Sequence, residues 1–137
     1  MKKIQIVLTA LIVLFAFSAA LATTPASINS KVDWQKAEKN YVIALNSENS
    51  GVRNSAANLI GEYRLNGAVN DLVFLLQNDR VEKNRMAAAL SLVQIGSKEA
   101  LQAVKDASVY DGSDKVAKYC EQLLGKSANN DDLSLKN

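Results

Sequence analysis

The chain has 137 residues, 48% of them hydrophobic and 22% charged, with 16 basic and 14 acidic side chains. Lys2 and Lys3 precede a long apolar run, and without them 14 basic side chains (16 minus 2) balance 14 acidic ones. The remaining chain therefore has no net charge and no basic footprint for nucleic acid, and its single cysteine excludes an internal disulfide.

The first predicted element is a secretory signal peptide over residues 1–22. Two lysines precede an apolar run that ends in Ala20-Leu21-Ala22, the small-x-small pattern of a signal peptidase site. We therefore expect cleavage before Thr23 and an exported protein, either periplasmic or secreted. The alternative is an uncleaved helix that anchors the chain in a membrane, because the apolar run over residues 4–22 falls at the short end of the roughly 17 to 25 residues that span a bilayer.

A polar leader over residues 23–29 precedes the predicted helical domain, residues 30–125. Ser30 with Asp33 three residues later is a variant of the capping box, which predicts a helix that runs to about Leu45. The interior of this domain contains no proline and is rich in alanine and leucine, which favours helices throughout.

Two pairs of helices are predicted next. Ser50 is placed to cap the first helix of the first pair, and Asn66-Gly67 breaks that helix, with one of the two in the left-handed conformation that a helix end favours. The second helix of the pair covers Ala68 to Leu76, and Asn78-Asp79-Arg80 is the turn that closes the unit.

The second pair follows the same plan and a closing helix ends the domain. Its first helix stops at Gly96, and Ser97 is placed to cap its second helix. The closing helix starts at about Asp114 and is predicted to end at Gly125. The polar residues 126–137 show no periodicity and are predicted to form a disordered tail.

The chain repeats itself at a spacing of 32 residues. Arg53, Ala56 and Ala57 align with Arg85, Ala88 and Ala89, and each series is followed by Ala-Val or Ala-Leu in the next helix. This pattern resembles the short HEAT-type repeats also found in phycobilisome chromophore lyases. The resemblance implies an all-α fold, a right-handed solenoid of stacked helix pairs whose exposed surface binds other molecules.

The same resemblance implies a ladder of charge pairs between adjacent repeats. Arg53 and Arg85 occupy one repeated position, and Asp79 and Asp111 occupy another near the turns between units. Repetition is what a repeated structural interface requires, so we interpret the four residues as a structural ladder. A role of the arginines in binding is the alternative.

Positions where the repeat changes are the candidates for a protein-binding surface. Met86 and Leu90 stand where the first unit has asparagines, and Phe74 stands where the second has an aspartate. If they are exposed, Met86 and Leu90 form an apolar spot on one face, and Phe74 lies on the face formed by the second helices. Alternatively, the middle helix buries Met86 and Leu90 between two neighbours, and the helix that begins near Trp34 covers Phe74.

No catalytic constellation is evident. The chain has no histidine, and Cys120 falls in the small-residue position of a first helix, where a free cysteine behaves as a small hydrophobe. We predict no metal site, no cofactor and no enzymatic activity.

The predicted function is an exported protein–protein interaction module or scaffold whose partner is another protein. One alternative is a chromophore-lyase-like or other small-molecule-handling protein, which requires a reactive thiol at Cys120. The other is a membrane-tethered adaptor, which requires an uncleaved N-terminal helix.

Overall fold

A computed structural model describes residues 32–134 of the protein. The predicted signal peptide (residues 1–22), the polar leader (residues 23–29) and the proposed cap Ser30 lie outside the described residues. Among the described residues, no helix is both long enough and apolar enough to cross a membrane.

Helices make up the fold, and residues 32–134 contain no strand, so the all-α prediction is confirmed. Six α-helices and one short 3-10 helix follow one another in this part of the chain: α1 Trp34–Leu45, α2 Ser50–Glu62, the 3-10 helix Asn66–Ala68, α3 Val69–Asn78, α4 Glu82–Ile95, α5 Lys98–Tyr110 and α6 Asp114–Ser134.

The helices form two layers that advance by one pair per repeat. In the first layer α2 packs on α4 and α4 packs on α6, and in the second layer α1, α3 and α5 follow in the same order. Helices α3 and α4 also contact each other across the layers, as do α5 and α6. The result is an α-solenoid of two full helix pairs between a leading helix and a closing helix, as the period predicts.

The core lies between the layers and is built from small and aliphatic side chains. Alanines at the centre of the first helices permit close approach of neighbouring backbones, because they occupy little more space than the backbone itself. The fully buried members of this kind are Ala57, Ile60, Ala68, Leu72, Ala88, Ala89, Leu92, Ala100, Val104 and Val116.

Two of the predicted helix caps are wrong by one or more residues. Helix α1 begins at Trp34, and the Asp33 carboxylate accepts a hydrogen bond from the Lys36 N–H at 3.1 Å. Helix α2 is capped by Asn49, whose side chain accepts from the N–H groups of residues 51 and 52, so Ser50 is the first helical residue. Asparagine and aspartate are as good as serine or better at this position. The predicted cap Ser97 is confirmed.

The left-handed residue after α2 is Arg64, with φ 49°, and neither Asn66 nor Gly67 has a positive φ. The Arg64 N–H donates to the Gly61 carbonyl and the Leu65 N–H donates to the Ile60 carbonyl, each at 3.0 Å. These two bonds define a Schellman motif, which closes the helix and directs the apolar residue after the left-handed one inward. Burial of Leu65 therefore fixes the helix end, and the prediction of Asn66 or Gly67 is wrong.

The closing helix is longer than predicted. Helix α6 continues past Gly125 to Ser134, so the predicted helix end at Gly125 and the disordered tail over residues 126–134 are wrong. A glycine inside a helix costs only about 1 kcal/mol relative to alanine, and no proline follows to stop the helix. Residues 135–137 lie outside the described part of the chain.

A candidate binding face beside the arginine–aspartate ladder

The first rung of the ladder joins Arg53 of α2 to Asp79 at the end of α3. Arg53 Nε donates to Asp79 Oδ2 at 2.6 Å and Nη2 donates to Oδ1 at 3.1 Å, so the pair is bidentate. The Asp79 carboxylate also accepts from the Val81 N–H at 2.8 Å and from Asn84 Nδ2 at 3.0 Å. These bonds join the ends of three helices at one buried carboxylate.

The second rung repeats this geometry 32 residues later. Arg85 Nε and Nη2 donate to the two carboxylate oxygens of Asp111 at 2.9 Å and 2.8 Å. Asp111 Oδ1 also accepts from the Ser113 N–H at 2.8 Å, as Asp79 does from its own turn. The four residues predicted to form the ladder are thus brought together as two matched pairs.

The two rungs are linked to each other through Asp79. Its carboxylate binds Arg53, while its backbone carbonyl accepts a hydrogen bond from Arg85 Nη1 at 2.8 Å. Arg53 Nη1 makes the corresponding contact to the carbonyl of Ser47 at 2.7 Å. Each arginine therefore spans from the turn before its helix to the turn after the next one, and the series ends where the third unit has Ala117.

Both ladder carboxylates are held in the charged form. Burial opposes ionisation of Asp79, but hydrogen bonds from Arg53, the Val81 N–H and Asn84 outweigh it and lower the carboxyl pKa. Burial also opposes ionisation of Asp111, but hydrogen bonds from Arg85 and from the Ser113 N–H outweigh it and lower the carboxyl pKa. The guanidinium groups of both arginines donate their hydrogen bonds to other residues of the ladder and its turns. The ladder therefore holds the repeats together and presents little free charge to a partner.

A groove of about 800 Å³, the first groove, lies over the first rung. Its walls are the turn between α1 and α2, the outer side of α3 and the turn after α3. The ladder pair forms part of its floor, and Phe74, Glu48, Asp71 and Arg80 line it.

A second groove of about 470 Å³ lies over the second rung. Eight of its nine lining residues stand 32 positions after a lining residue of the first groove: Gln77, Arg85, Ala103, Asp106, Ala107, Tyr110, Asp111 and Gly112. The two grooves are therefore one structural feature that occurs twice, and we call the surface that carries them the second-helix face.

An exposed aromatic ring borders each groove. Phe74 in the first groove is 63% exposed and Tyr110 in the second is 81% exposed. The rings occupy different repeat positions, since the counterpart of Phe74 is Asp106 and that of Tyr110 is Asn78. Large exposed rings next to a concave surface are typical of protein-binding sites.

The three predicted binding residues are not equally accessible. Phe74 is exposed on the second-helix face. Met86 and Leu90 are half-buried and pack against the core, because α4 lies between α2 and α6, as the alternative interpretation requires. Phe74 alone of the three projects from the surface as a free apolar side chain.

Cys120 does not resemble a reactive thiol. It is fully buried within the core of the solenoid. Burial, with a smaller contribution from the negative charge of Asp111, raises the pKa of the Cys120 thiol to about 11. Because the nucleophilic form of cysteine is the thiolate, covalent chemistry at this position is strongly disfavoured at neutral pH.

Sequence reasoning missed two features of this region. Asn84 was visible only as a departure from the valines at positions 52 and 116, and it proves to be a buried ligand of the ladder carboxylate. Tyr110 is also a departure from the repeat, since the first unit has Asn78 at the equivalent position. Departures from the repeat were the available signal in both cases.

The chain matches a known protein family. A family model described as HEAT repeats matches residues 38–125, which is more than half of the chain. No curated protein matches the chain significantly. The matched stretch includes both rungs of the ladder and both grooves.

Proposed function

Because the chain belongs to the HEAT repeat family, a family of protein-interaction modules, we propose that it is an exported, non-enzymatic module that binds another protein through the second-helix face. The carrying observation is the pair of equivalent grooves, each bordered by an exposed aromatic ring. A repeated concave surface allows one extended partner to make the same type of contact twice.

The rings supply the expected anchors. Aromatic side chains dominate the energetics of protein interfaces because they bury a large area with little loss of conformational freedom. In the free protein, Phe74 and Tyr110 leave that area in water. A partner that covered both rings would therefore remove a large apolar area from water at both grooves.

Charge in the grooves favours a partner with basic residues. Outside the ladder, the lining includes the carboxylates Glu48, Asp71 and Asp106 and a single guanidinium, Arg80. Asp106 accepts a hydrogen bond from Gln102, which orients its carboxylate. Charge complementarity of this kind steers association and selects partners more than it adds affinity.

Two further observations support a non-enzymatic, exported module. The buried thiol of Cys120, with its raised pKa, disfavours the chromophore-lyase alternative, which depends on a reactive cysteine. The sequence of residues 1–22 has the three parts of a secretory signal.

Binding is tested with the mature chain, residues 23–137, immobilised and exposed to an envelope extract of the source organism. We expect it to retain a specific protein, and we expect Phe74→Asp with Tyr110→Asp to reduce that retention about tenfold or more, since a charge in an apolar contact is costly to desolvate.

Two exposed residues on helices of the same second layer serve as matched controls. Ile43 and Val109 are also highly exposed but line neither groove. Ile43→Asp with Val109→Asp should leave retention unchanged. Equal retention by both double variants would contradict binding through the second-helix face.

Export is tested separately by mass spectrometry of the protein from its natural host. The proposal requires an N-terminus at Thr23 and recovery outside the cytoplasm. An intact Met1 in a membrane fraction would instead support the tethered adaptor.

A further inference from the structure

In the part of the chain that the structure describes, the leading end of the solenoid carries an apolar groove that is open to solvent. This end groove has a volume of about 520 Å³ and lies between α1, which contributes Tyr41 and Ala44, and α2, which contributes Val52, Ala56 and Leu59. Val52 lines this groove, and 42% of its surface is exposed to solvent. Terminal helices of a solenoid normally present a polar outer face, so this end differs from the expected cap.

The same face is covered on the closing helix. Val116, Cys120 and Leu123 of α6 stand 64 residues after Val52, Ala56 and Leu59, and their residue types match closely. They are 0%, 0% and 9% exposed, because α4 packs on α6. Among the described residues, the end groove is thus the same face without a covering helix, with Val52 42% exposed although Ala56 beside it is only 3% exposed.

The internal interfaces show which side chains such a helix presents. On α2, the Ala57 carbonyl accepts from Ser91 Oγ at 2.7 Å, and Gly61 lies against the backbone of Ser91. The counterparts of these two contact residues on α4 are Ala89 and Val93. A helix that packs on the first helix of the following repeat therefore presents small and aliphatic residues to it. These residues are four positions apart and lie on one face of the helix.

The choice of occupant rests on the cleavage before Thr23 that is part of the proposed function, because that cleavage removes part of the sequence at the corresponding position. Helix α2 spans residues 50–62. The residues 32 positions earlier in the chain are residues 18–30. Cleavage before Thr23 removes the first five of these, and Pro25 falls inside the remainder. The proposed mature chain therefore keeps eight residues at this position, with a proline near their start, where α2 has 13 residues.

A second copy stacked head to tail does not fit either. Its contribution would be the outer face of α6, where Lys118, Glu121 and Gln122 are exposed. These polar and charged side chains would lose their hydration against the apolar lining of the end groove.

We propose that the end groove binds an α-helix of a different protein, one that presents a stripe of small and aliphatic residues in the manner of α4. This helix extends the first layer by one member and continues the interface by which α4 lies on α6. The site is distinct from the second-helix face and shares no lining residue with either of its grooves.

The test uses the mature chain and a synthetic peptide of residues 81–96, which contains α4. The peptide is held helical by a side-chain staple between positions 84 and 88. Fluorescence anisotropy should show saturable binding, and Val52→Asp with Ser55→Glu should weaken it about tenfold or more, because both new carboxylates would be desolvated. Position 55 lines the groove and is exposed, and position 52 is in the first turn of α2, where an acidic residue is tolerated.

The matched control is Lys118→Gln with Gln122→Glu, which changes the net charge by the same two units at the opposite end. This variant should bind the peptide as the parent chain does. Absence of saturable binding, or equal weakening by both variants, would overturn the proposal. So would a dimer in sedimentation equilibrium that dissociates on Val52→Asp with Ser55→Glu, since the occupant would then be a second copy. Variants of Phe74 and Tyr110 should leave peptide binding intact, so a failure of binding at the end groove is distinguishable from a failure of binding through the second-helix face.

Discussion

The interface between α2 and α4 and the interface between α4 and α6 occupy equivalent positions in the repeat but are built differently. In the first, Gly61 lies against Ser91, and the Ser91 hydroxyl donates to the carbonyl of Ala57. In the second, the equivalent positions are Val93 and Leu123. One repeat therefore supports two kinds of packing, a close polar contact and an aliphatic one, because both partners change together.

The ladder follows the same division. At the first rung Asn84 donates to the Asp79 carboxylate, whereas the corresponding residue near the second rung is the buried Val116. The polar replacements in α4, at positions 84 and 91, are thus on its side towards α2. Helix α4 therefore has one polar contact face and one aliphatic contact face.

The largest expected effect on stability comes from replacing Gly61 of the α2–α4 interface with valine, the residue at the equivalent position of the α4–α6 interface. A Cβ at position 61 would lie 2.6 Å from the Ser91 Cα, so Gly61→Val must separate α2 from α4. We expect the free energy of unfolding to fall by more than about 3 kcal/mol, measured by urea denaturation.

Gly125 provides the control for that change, because it occupies the same repeat position on α6 and no atom lies within 4 Å of a Cβ built there. Gly125→Val should leave the free energy of unfolding within about 1 kcal/mol of the parent value. Similar losses at the two positions would show that close approach is not what distinguishes the first interface.

Removal of the ladder carboxylates should be costly at both rungs and more costly at the first. Asp79→Ala leaves the guanidinium of Arg53 and the amide of Asn84 without their acceptor, and we expect a loss of about 3 kcal/mol at neutral pH. Asp111→Ala should cost about 2 kcal/mol, because no asparagine is attached to that carboxylate.

These losses should depend on pH in a defined direction. The folded-state pKa of Asp79 lies below the ordinary value of 3.8, so its contribution is present above that pH and disappears as the pH falls through the lower folded-state value. The difference between the parent chain and Asp79→Ala should therefore shrink in chemical denaturation series taken downward from pH 4. A difference that stays constant or grows in acid would contradict the assignment.

A smaller effect on stability is expected when Asn84 beside the first rung is replaced with valine, the residue at the equivalent position near the second rung. Asn84→Val removes one hydrogen bond to the carboxylate and should lower the free energy of unfolding by about 1 kcal/mol. In that background Asp79→Ala should cost no more than Asp111→Ala does. If Asp79→Ala keeps its full cost there, Asn84 is not the source of the difference between the rungs.

The smallest expected effect is a gain. Gly125 is exposed in the middle of α6, so Gly125→Ala should raise the free energy of unfolding by about 0.5 kcal/mol through helix propensity. Thermal unfolding followed by circular dichroism would show a corresponding rise in Tm. A loss of stability would indicate that the closing helix has a contact at this position.

Much of the fold could be predicted from the 32-residue period, because each unit must bury the same positions against its neighbours. The period aligned Arg53 with Arg85 and Asp79 with Asp111, and these residues form the two ion pairs. It also placed Cys120 in the buried small-residue position.

Helix ends were less predictable because several residues near each end can satisfy the same backbone groups. Asp33 and Asn49 cap where serines were expected, and Arg64 takes a left-handed conformation because Leu65 gains a place in the core. The grooves could not be foreseen either. They depend on the spacing of helices that are distant in sequence, and only their aromatic borders are visible as departures from the repeat.

The most direct test of binding through the second-helix face is photo-crosslinking in the source cells. A photoreactive phenylalanine analogue is placed at position 74 or 110, and in control chains at position 43 or 109. We predict that the first two chains form a crosslink to the same protein and that the controls do not. Equal crosslinking at all four positions, or none at 74 and 110, would contradict the assignment of the second-helix face as the protein-binding surface.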